Sequence, residues 1–417
     1  MVVRLLLANK FVLKIVRLRN LLLRLAGYGD FRTLILISTL IIALHVRYKY
    51  FLIQNLRLGS EFADYSYMTS YADCFHFELF NAYKFPNTCA NIPYIYGVFA
   101  LLLFYPLTLH AIPADIVVTL LFISFVLLLL MRIVPLGTRW LLYLTALLLS
   151  PPIFLLYERG NIDIVIAIAI LLAVGLLTRG NFFAGLVLLA ALSLLKFYLL
   201  PSLFFISLIF KRFKFRYMTI CVLTLIGVIG NLTLIQRNYL PSIWENSFGL
   251  STIISYAAIF NLGLSQFQAA LLISSLIASS IYLLNFTHSF SLTVKQDWET
   301  YLFVICGSSL ILSTIVGNYF DYRLFLVIFC VPFCISNLRG HKILTPCFFI
   351  AVLLSFFLSN PLGIGNLSSK MNLIVSMAAD SFLFFVITII CSLLVSLLQI
   401  PVLLRKLKNS GNILGRN

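Results

Sequence analysis

Charge is what this chain has least of, and acidic charge above all. Of 417 residues, 10% are Asp, Glu, Lys or Arg, and only 13 are acidic. A water-facing surface carries roughly 25–35% charged residues, so a soluble domain of this length is excluded. The alternation of a closed barrel is also missing. Only helices and barrels satisfy their backbone in lipid, so membrane spans here must be helices. His45, His76, His110, His288 and His341 lack metal-ligand spacing, which argues against a zinc site. No Gly-rich phosphate loop is present to hold a nucleotide. Nor does the sequence show a cleavable signal peptide, a paired inverted repeat or a separate soluble domain.

What is abundant is apolar sequence. Hydrophobic residues make up 62% of the chain and the mean hydropathy is +1.05. Runs long enough to cross a bilayer recur from end to end. The expected fold is all-α: a polytopic membrane protein of about twelve transmembrane helices. These fall at 33–53, 115–131, 140–157, 163–177, 182–195, 198–210, 217–235, 267–285, 301–316, 324–335, 343–358 and 381–404. One further apolar stretch, 96–110, is short and contains Pro106, and it follows a long polar loop at 57–95. Residues 33–404 read as one membrane domain.

The net charge of +17 comes from Lys and Arg in short loops, the pattern of the positive-inside rule rather than of a nucleic-acid surface. Residues 1–32 carry seven Lys/Arg among leucines and read as a cytoplasmic cationic helix on the membrane surface. An orientation signal alone would also place them in the cytoplasm. Residues 405–417 form a basic cytoplasmic tail. If 96–110 dips back without crossing, 21 of the 30 Lys/Arg fall on one face. If it crosses, 14 of those move to the other side. The rule selects the dip, a re-entrant or interfacial element.

That topology gathers four polar pieces on the outer face. They are the first loop around "GSEFADYSYMTSYADC", the "YERGNID" turn, the "RNYLPSIWENSF" loop and the "GNYFDYR" turn. Glu61, Asp64, Asp73, Glu158 and Asp163 cluster in the first two. A charged side chain costs roughly 2.5–3.5 kcal/mol at the bilayer centre, so such a gathering needs water, partners or a task. A first-loop carboxylate suits general-base work on a hydroxyl. Arg159, Arg323 and Lys196 suit a phosphate. Blander readings stand beside these. Asp64 also reads as a solvated loop residue, and "ERGNID" as a cap in which Asn161 or Glu158 caps the next helix and Arg159 pairs with Asp163. "DYR" reads as a local Asp321–Arg323 pair with Tyr322 in the interfacial belt, and Lys196 as a snorkelling side chain. Six cysteines lie in or beside apolar segments. Cys74 and Cys89 share the first loop, where an oxidising compartment would allow a disulfide.

The order "ERGN" before an apolar span, then "FFAGLVLLAALSLLKFYLLPSL", resembles the GT-C superfamily of membrane glycosyltransferases. It is most similar to the bacterial branch using polyprenyl-phosphate sugars, the mannosyltransferases and their arabinofuranosyltransferase relatives. The matching positions are Glu158–Asn161, Ala184, Gly185 and Lys196, over about two-thirds of the chain. "GNYFDYR" is like an N-x-x-Y-R turn of some bacterial relatives. Two departures stand out: the first loop offers two aspartates, and "KFYLLP" spaces Lys196 and Pro201 widely.

The resemblance implies a GT-C-like fold and a sugar donor carried on polyprenyl phosphate. The acceptor would be a glycan, glycolipid or protein of the cell envelope. It implies Asp64 as catalytic base, with Asp73 in reserve, and Arg159, Lys196 and Arg323 on the donor phosphate. Glu61, Glu158, Asn161, Asp163, Asn318, Asp321 and Tyr322 would bind or orient substrate. No cofactor is required; the acidic cluster leaves room for a divalent metal, which the resemblance does not indicate. The location implied is a bacterial inner membrane, with the site on the extracytoplasmic side. The competing expectations are a lipid-linked-sugar flippase or transporter, and a polysaccharide polymerase or ligase.

Overall fold

The computed structural model describes residues 62–77, 98–109, 113–133, 138–211, 214–234, 247–249, 294–316, 318–320, 324–358 and 369–398, with isolated positions between. The expected surface helix 1–32 and the tail 405–417 lie outside them. Helices dominate. In chain order they are α1 (Ala63–Phe77), α2 (Val98–Leu109), α3 (Ala114–Ile133), α4 (Thr138–Leu148), α5 (Pro151–Glu158), α6 (Asp163–Thr178) and α7 (Phe182–Leu195). Then come α8 (Leu200–Ile209), α9 (Phe215–Leu234), α10 (Trp298–Val316), α11 (Phe325–Leu338), α12 (Leu344–Leu358) and α13 (Ser369–Leu397). Two three-residue strands, β1 (Ser247–Gly249) and β2 (Asn318–Phe320), add a small antiparallel ladder to an otherwise helical chain.

Among the described residues, two helical segments are long and apolar enough to cross a membrane alone, Ala114–Met131 and Ile374–Leu397. Six shorter apolar helices accompany them. Residues 140–157, expected as one span, form two helices bent by 50°. The cause is local: Ser150 is the N-cap of α5, and Pro151 and Pro152 follow it. A proline ring clashes with the carbonyl four residues back and has no N–H to donate, so it stops α4 and suits the first turn of α5.

The core is built on α10 and α11. Residues 301–310 and 324–335 are buried without a break, as expected of helices apolar all round. Phe303 stacks on Phe333 at 4.2 Å between them. Around this pair, α3, α7, α9 and α12 turn large apolar side chains outward, among them Leu120, Phe183, Ile226 and Ile350.

Contacts between helix ends fix their directions. Phe182 meets Tyr217, so α7 and α9 start together, and Asn231 donates to the Leu194 carbonyl where they finish. Ser207 contacts Cys221, so α8 runs back against both. Lys196 therefore sits at the tip of a hairpin between α7 and α8. Phe210 stacks on Tyr301, and Ser336 donates to Glu299, which brings the start of α10 and the end of α11 to the other end. Arg179, Lys211, Lys214, Lys295 and Arg339 all fall at that second end. Asp64, Glu158, Asp163 and Lys196 occupy the first.

Candidate functional site

The site begins with how α5 ends. The Asn161 N–H reaches the Leu156 carbonyl and the Gly160 N–H reaches the Tyr157 carbonyl, at 3.3 and 3.0 Å. These two bonds make a Schellman cap, whose turning residue must adopt a left-handed conformation. Gly160 does so at φ +59°. A side chain there would collide as well, because a Cβ would lie 2.9 Å from Val118 Cγ2 and 3.1 Å from Tyr65 Cβ.

The freed carbonyls of this turn receive the start of α1. Phe62 N–H donates to the Glu158 carbonyl and Asp64 N–H to the Arg159 carbonyl, both at 3.0 Å. The first N–H groups of a helix have no partner within it, so the turn satisfies donors that α1 would leave open. Phe62 also packs edge-on against Tyr157, whose hydroxyl lies 3.1 Å from Thr119 Oγ1. The first loop and the "ERGN" turn, nearly a hundred residues apart, are thus joined through their backbones.

That junction sets the side-chain geometry. Arg159 donates from Nε and Nη2 to Asp64 Oδ1, at 3.1 and 2.6 Å. Asn161 Nδ2 donates to Asp64 Oδ2, while Asn161 Oδ1 accepts from the Asp163 N–H at 2.9 Å. Asn161 therefore bridges the Asp64 carboxylate and the start of α6. Below it, Asp163 Oδ1 lies 3.0 Å from Lys196 Nζ and accepts from the Tyr198 hydroxyl at 2.8 Å. The two levels differ in access. The Arg159 side chain is 42% exposed and that of Asp64 14%, whereas Asp163 and Lys196 are 0% and 5% exposed.

Of the residues expected at the site, the structure brings together Asp64, Glu158, Arg159, Asn161, Asp163 and Lys196. The cap reading was half right: Asn161 does accept a backbone N–H of α6, but Arg159 pairs with Asp64 and Asp163 with Lys196. Lys196 is held inside rather than snorkelling. Asp73 is exposed, nine residues and so about 13 Å further along α1. Cys74 is disulfide-bonded, and Cys89 lies outside the described residues. So do Glu61, Asp321, Tyr322 and Arg323. Asn318 falls in β2, paired with Gly249, a ladder that ties the "WENSF" loop to the "GNYF" turn.

Tyr198 and Tyr65 were not anticipated. Tyr198 had a signal, standing two residues after Lys196 in the short turn between α7 and α8. Tyr65 had only its place next to Asp64. Among the described residues, no group of three His, Cys, Asp or Glu side chains is arranged to hold a metal ion.

No curated protein and no solved structure matches the chain. The model of glycosyltransferase family 87 matches residues 94–318, more than half of its length. The match takes in Arg159, Asn161, Asp163 and Lys196 and stops short of Asp64. With its apolar helices and this match over more than half of its residues, the chain belongs to glycosyltransferase family 87 and is a membrane glycosyltransferase.

Proposed function

We propose that this enzyme transfers a sugar from a polyprenyl-phosphate carrier to an acceptor hydroxyl, with inversion, on the extracytoplasmic side of a bacterial inner membrane. Asp64 takes the proton of the acceptor hydroxyl as its oxygen attacks the anomeric carbon. The bond from that carbon to the phosphate oxygen breaks, and polyprenyl phosphate leaves with its electron pair. Arg159 and Arg323 stabilise by contact the charge that develops on the leaving phosphate, while Lys196, buried against Asp163, contributes through its field from below. Glu158, Asn161 and Asp163 hold these groups in place. The other expected substrate contacts, Glu61, Asn318, Asp321 and Tyr322, complete the sugar and acceptor subsites. The reaction needs no cofactor.

One observation carries this reading: the carboxylate suited to be the base and the guanidinium suited to the phosphate meet at 2.6 Å, from opposite parts of the chain. In the ligand-free enzyme each satisfies the other. Donor phosphate competes for Arg159, and as the guanidinium turns to it, Asp64 Oδ1 is released toward the acceptor. Because Arg159 is the more exposed partner, the donor reaches it first. The position of the site, at the end opposite the basic residues, supports the extracytoplasmic side through the positive-inside rule.

The test is label transfer from a panel of radiolabelled polyprenyl-phosphate sugars, in membranes holding wild type, Asp64→Asn or Asp73→Asn at matched protein levels. Loss of a general base costs about 10²–10⁴-fold in rate. Asp64→Asn is expected to fall by that much while Asp73→Asn stays active. The reverse pattern moves the base to Asp73. Intact lipid-linked sugar crossing the bilayer with no donor consumed replaces the transferase reading with a flippase.

A further inference from the structure

Tyr65 stands next to Asp64 on α1, and its chemistry is not accounted for by the fold. Its side chain is buried, and its hydroxyl has no hydrogen-bond partner among the described residues. Buried phenols ordinarily find one, because the group must otherwise give up its water without replacement. Burial also raises the pKa of this phenol above its usual value, so it remains a neutral donor at physiological pH.

The surroundings show what such a donor would face. At its base, Tyr65 Cβ lies against the "ERGN" turn, where a Cβ on Gly160 would meet it at 3.1 Å. The ring packs edge-on against Phe104 of α2, with 5.8 Å between centroids. The opposite face of α2 turns Phe99, Leu102 and Leu103 outward, an apolar surface suited to lipid. Tyr65 thus packs between the turn that carries Arg159 and helix α2. A substrate entering from the α2 side would pass that position on its way to Asp64.

We propose that the Tyr65 hydroxyl is a substrate-binding group that donates a hydrogen bond to an oxygen of the lipid-borne donor, from either its sugar or its phosphate. This rests on the transferase reading given above. The bound donor then supplies the partner that this hydroxyl lacks among the described residues.

The experiment is Tyr65→Phe, which keeps the ring and removes only the hydroxyl. Thermal unfolding of the purified ligand-free protein and steady-state transfer kinetics are measured together. The expected result is an unfolding temperature equal to or above wild type, with kcat/KM for the donor about tenfold lower, or ~1.4 kcal/mol. Free polyprenyl phosphate as a competing ligand separates the two sources. A weakened inhibition constant in Tyr65→Phe assigns the bond to the phosphate, and an unchanged one assigns it to the sugar. A ligand-free protein destabilised by the substitution, or a variant with wild-type kinetics, overturns the proposal while leaving the transferase reading intact. A wild type that consumes no polyprenyl-phosphate sugar overturns both.

Discussion

Two glycines of this chain sit in the same turn and differ only in what lies across from them. Gly160 and Gly180 each follow an arginine, precede an asparagine and close a Schellman cap, at φ +59° and +80°. Replacing either with alanine forces a Cβ into the left-handed region, at roughly 1–2 kcal/mol. At Gly180 that is the whole cost, since among the described residues nothing lies within 4 Å of the new Cβ. At Gly160 the Cβ also meets Val118, Tyr65 and Phe62 at 2.9, 3.1 and 3.3 Å. Overpacking of this kind adds about 1–3 kcal/mol. Gly180→Ala should therefore destabilise by roughly 1–2 kcal/mol and Gly160→Ala by roughly 2–5 kcal/mol. Function should separate them further. The atoms displaced at Gly160 belong to α1 and α3, so relief of the clash moves Asp64 away from Arg159, whereas Gly180 lies at the far end of α6. The assay is unfolding of both variants in detergent together with sugar transfer in membranes. Val118→Ala in the Gly160→Ala background removes the closest contact and should recover part of the packing loss but none of the backbone cost. Equal destabilisation of the two variants, or full transfer by Gly160→Ala, would refute the reasoning.

Two further outcomes are expected. Asp163→Asn leaves the Lys196 ammonium buried without its counter-charge, which costs about 3–5 kcal/mol; Asp163→Asn with Lys196→Met should be the more stable of the two in chemical unfolding, and a double variant as unstable as the single one would show that the ion pair is not what matters. A cysteine placed at the exposed Ser66 should react with a membrane-impermeant maleimide in intact cells, and one at the exposed Lys342 only after permeabilisation, while the opposite pattern would invert the proposed orientation.

The general architecture was legible because it follows from composition. A chain with so few charges can only bury its helices in lipid, and the asymmetry of Lys and Arg foretold that one end of the bundle would be basic. The site was legible in its parts and not in its pairing. Spacing within "ERGNID" puts Arg159 four residues before Asp163, the usual reach of an ion pair along a helix. But Gly160 turns the chain between them, so no single helix carries both. Arg159 faces α1 and Asp163 faces the α7–α8 hairpin instead. Those partners lie 95 and 33 residues away, and local pattern carries no record of them. The bend at Ser150 was readable in hindsight, since two consecutive prolines stop a span that hydropathy alone runs through. The ladder between β1 and β2 was not readable at all, being three residues on each side and fixed by tertiary contact.

The recurrence of "RGN" also shows what the motif does and does not specify. Both copies encode the same local event: a helix stops, glycine reverses the chain and asparagine opens the next helix, Asn161 through the Asp163 N–H and Asn181 through that of Ala184. Among the described residues, only the first copy has a second segment docked on it. Because the first turn of α1 hydrogen-bonds to the carbonyls of Glu158 and Arg159, Asp64 is delivered to a turn that would otherwise be only a cap. The charges then divide by access. The Asp163–Lys196 pair is sealed, and separating two buried charges costs several kcal/mol, so it stays fixed. The Asp64–Arg159 pair sits at the surface, where an ion pair contributes only about 0–1 kcal/mol and exchanges readily for a stronger partner. Asn161 bonds to both levels, to the Asp64 carboxylate through Nδ2 and to the Asp163 backbone through Oδ1. In the proposed reaction the lower level anchors the carboxylate while the upper one exchanges partners. The stronger partner in that reaction is the donor phosphate, singly charged as a diester and doubly charged once polyprenyl phosphate leaves.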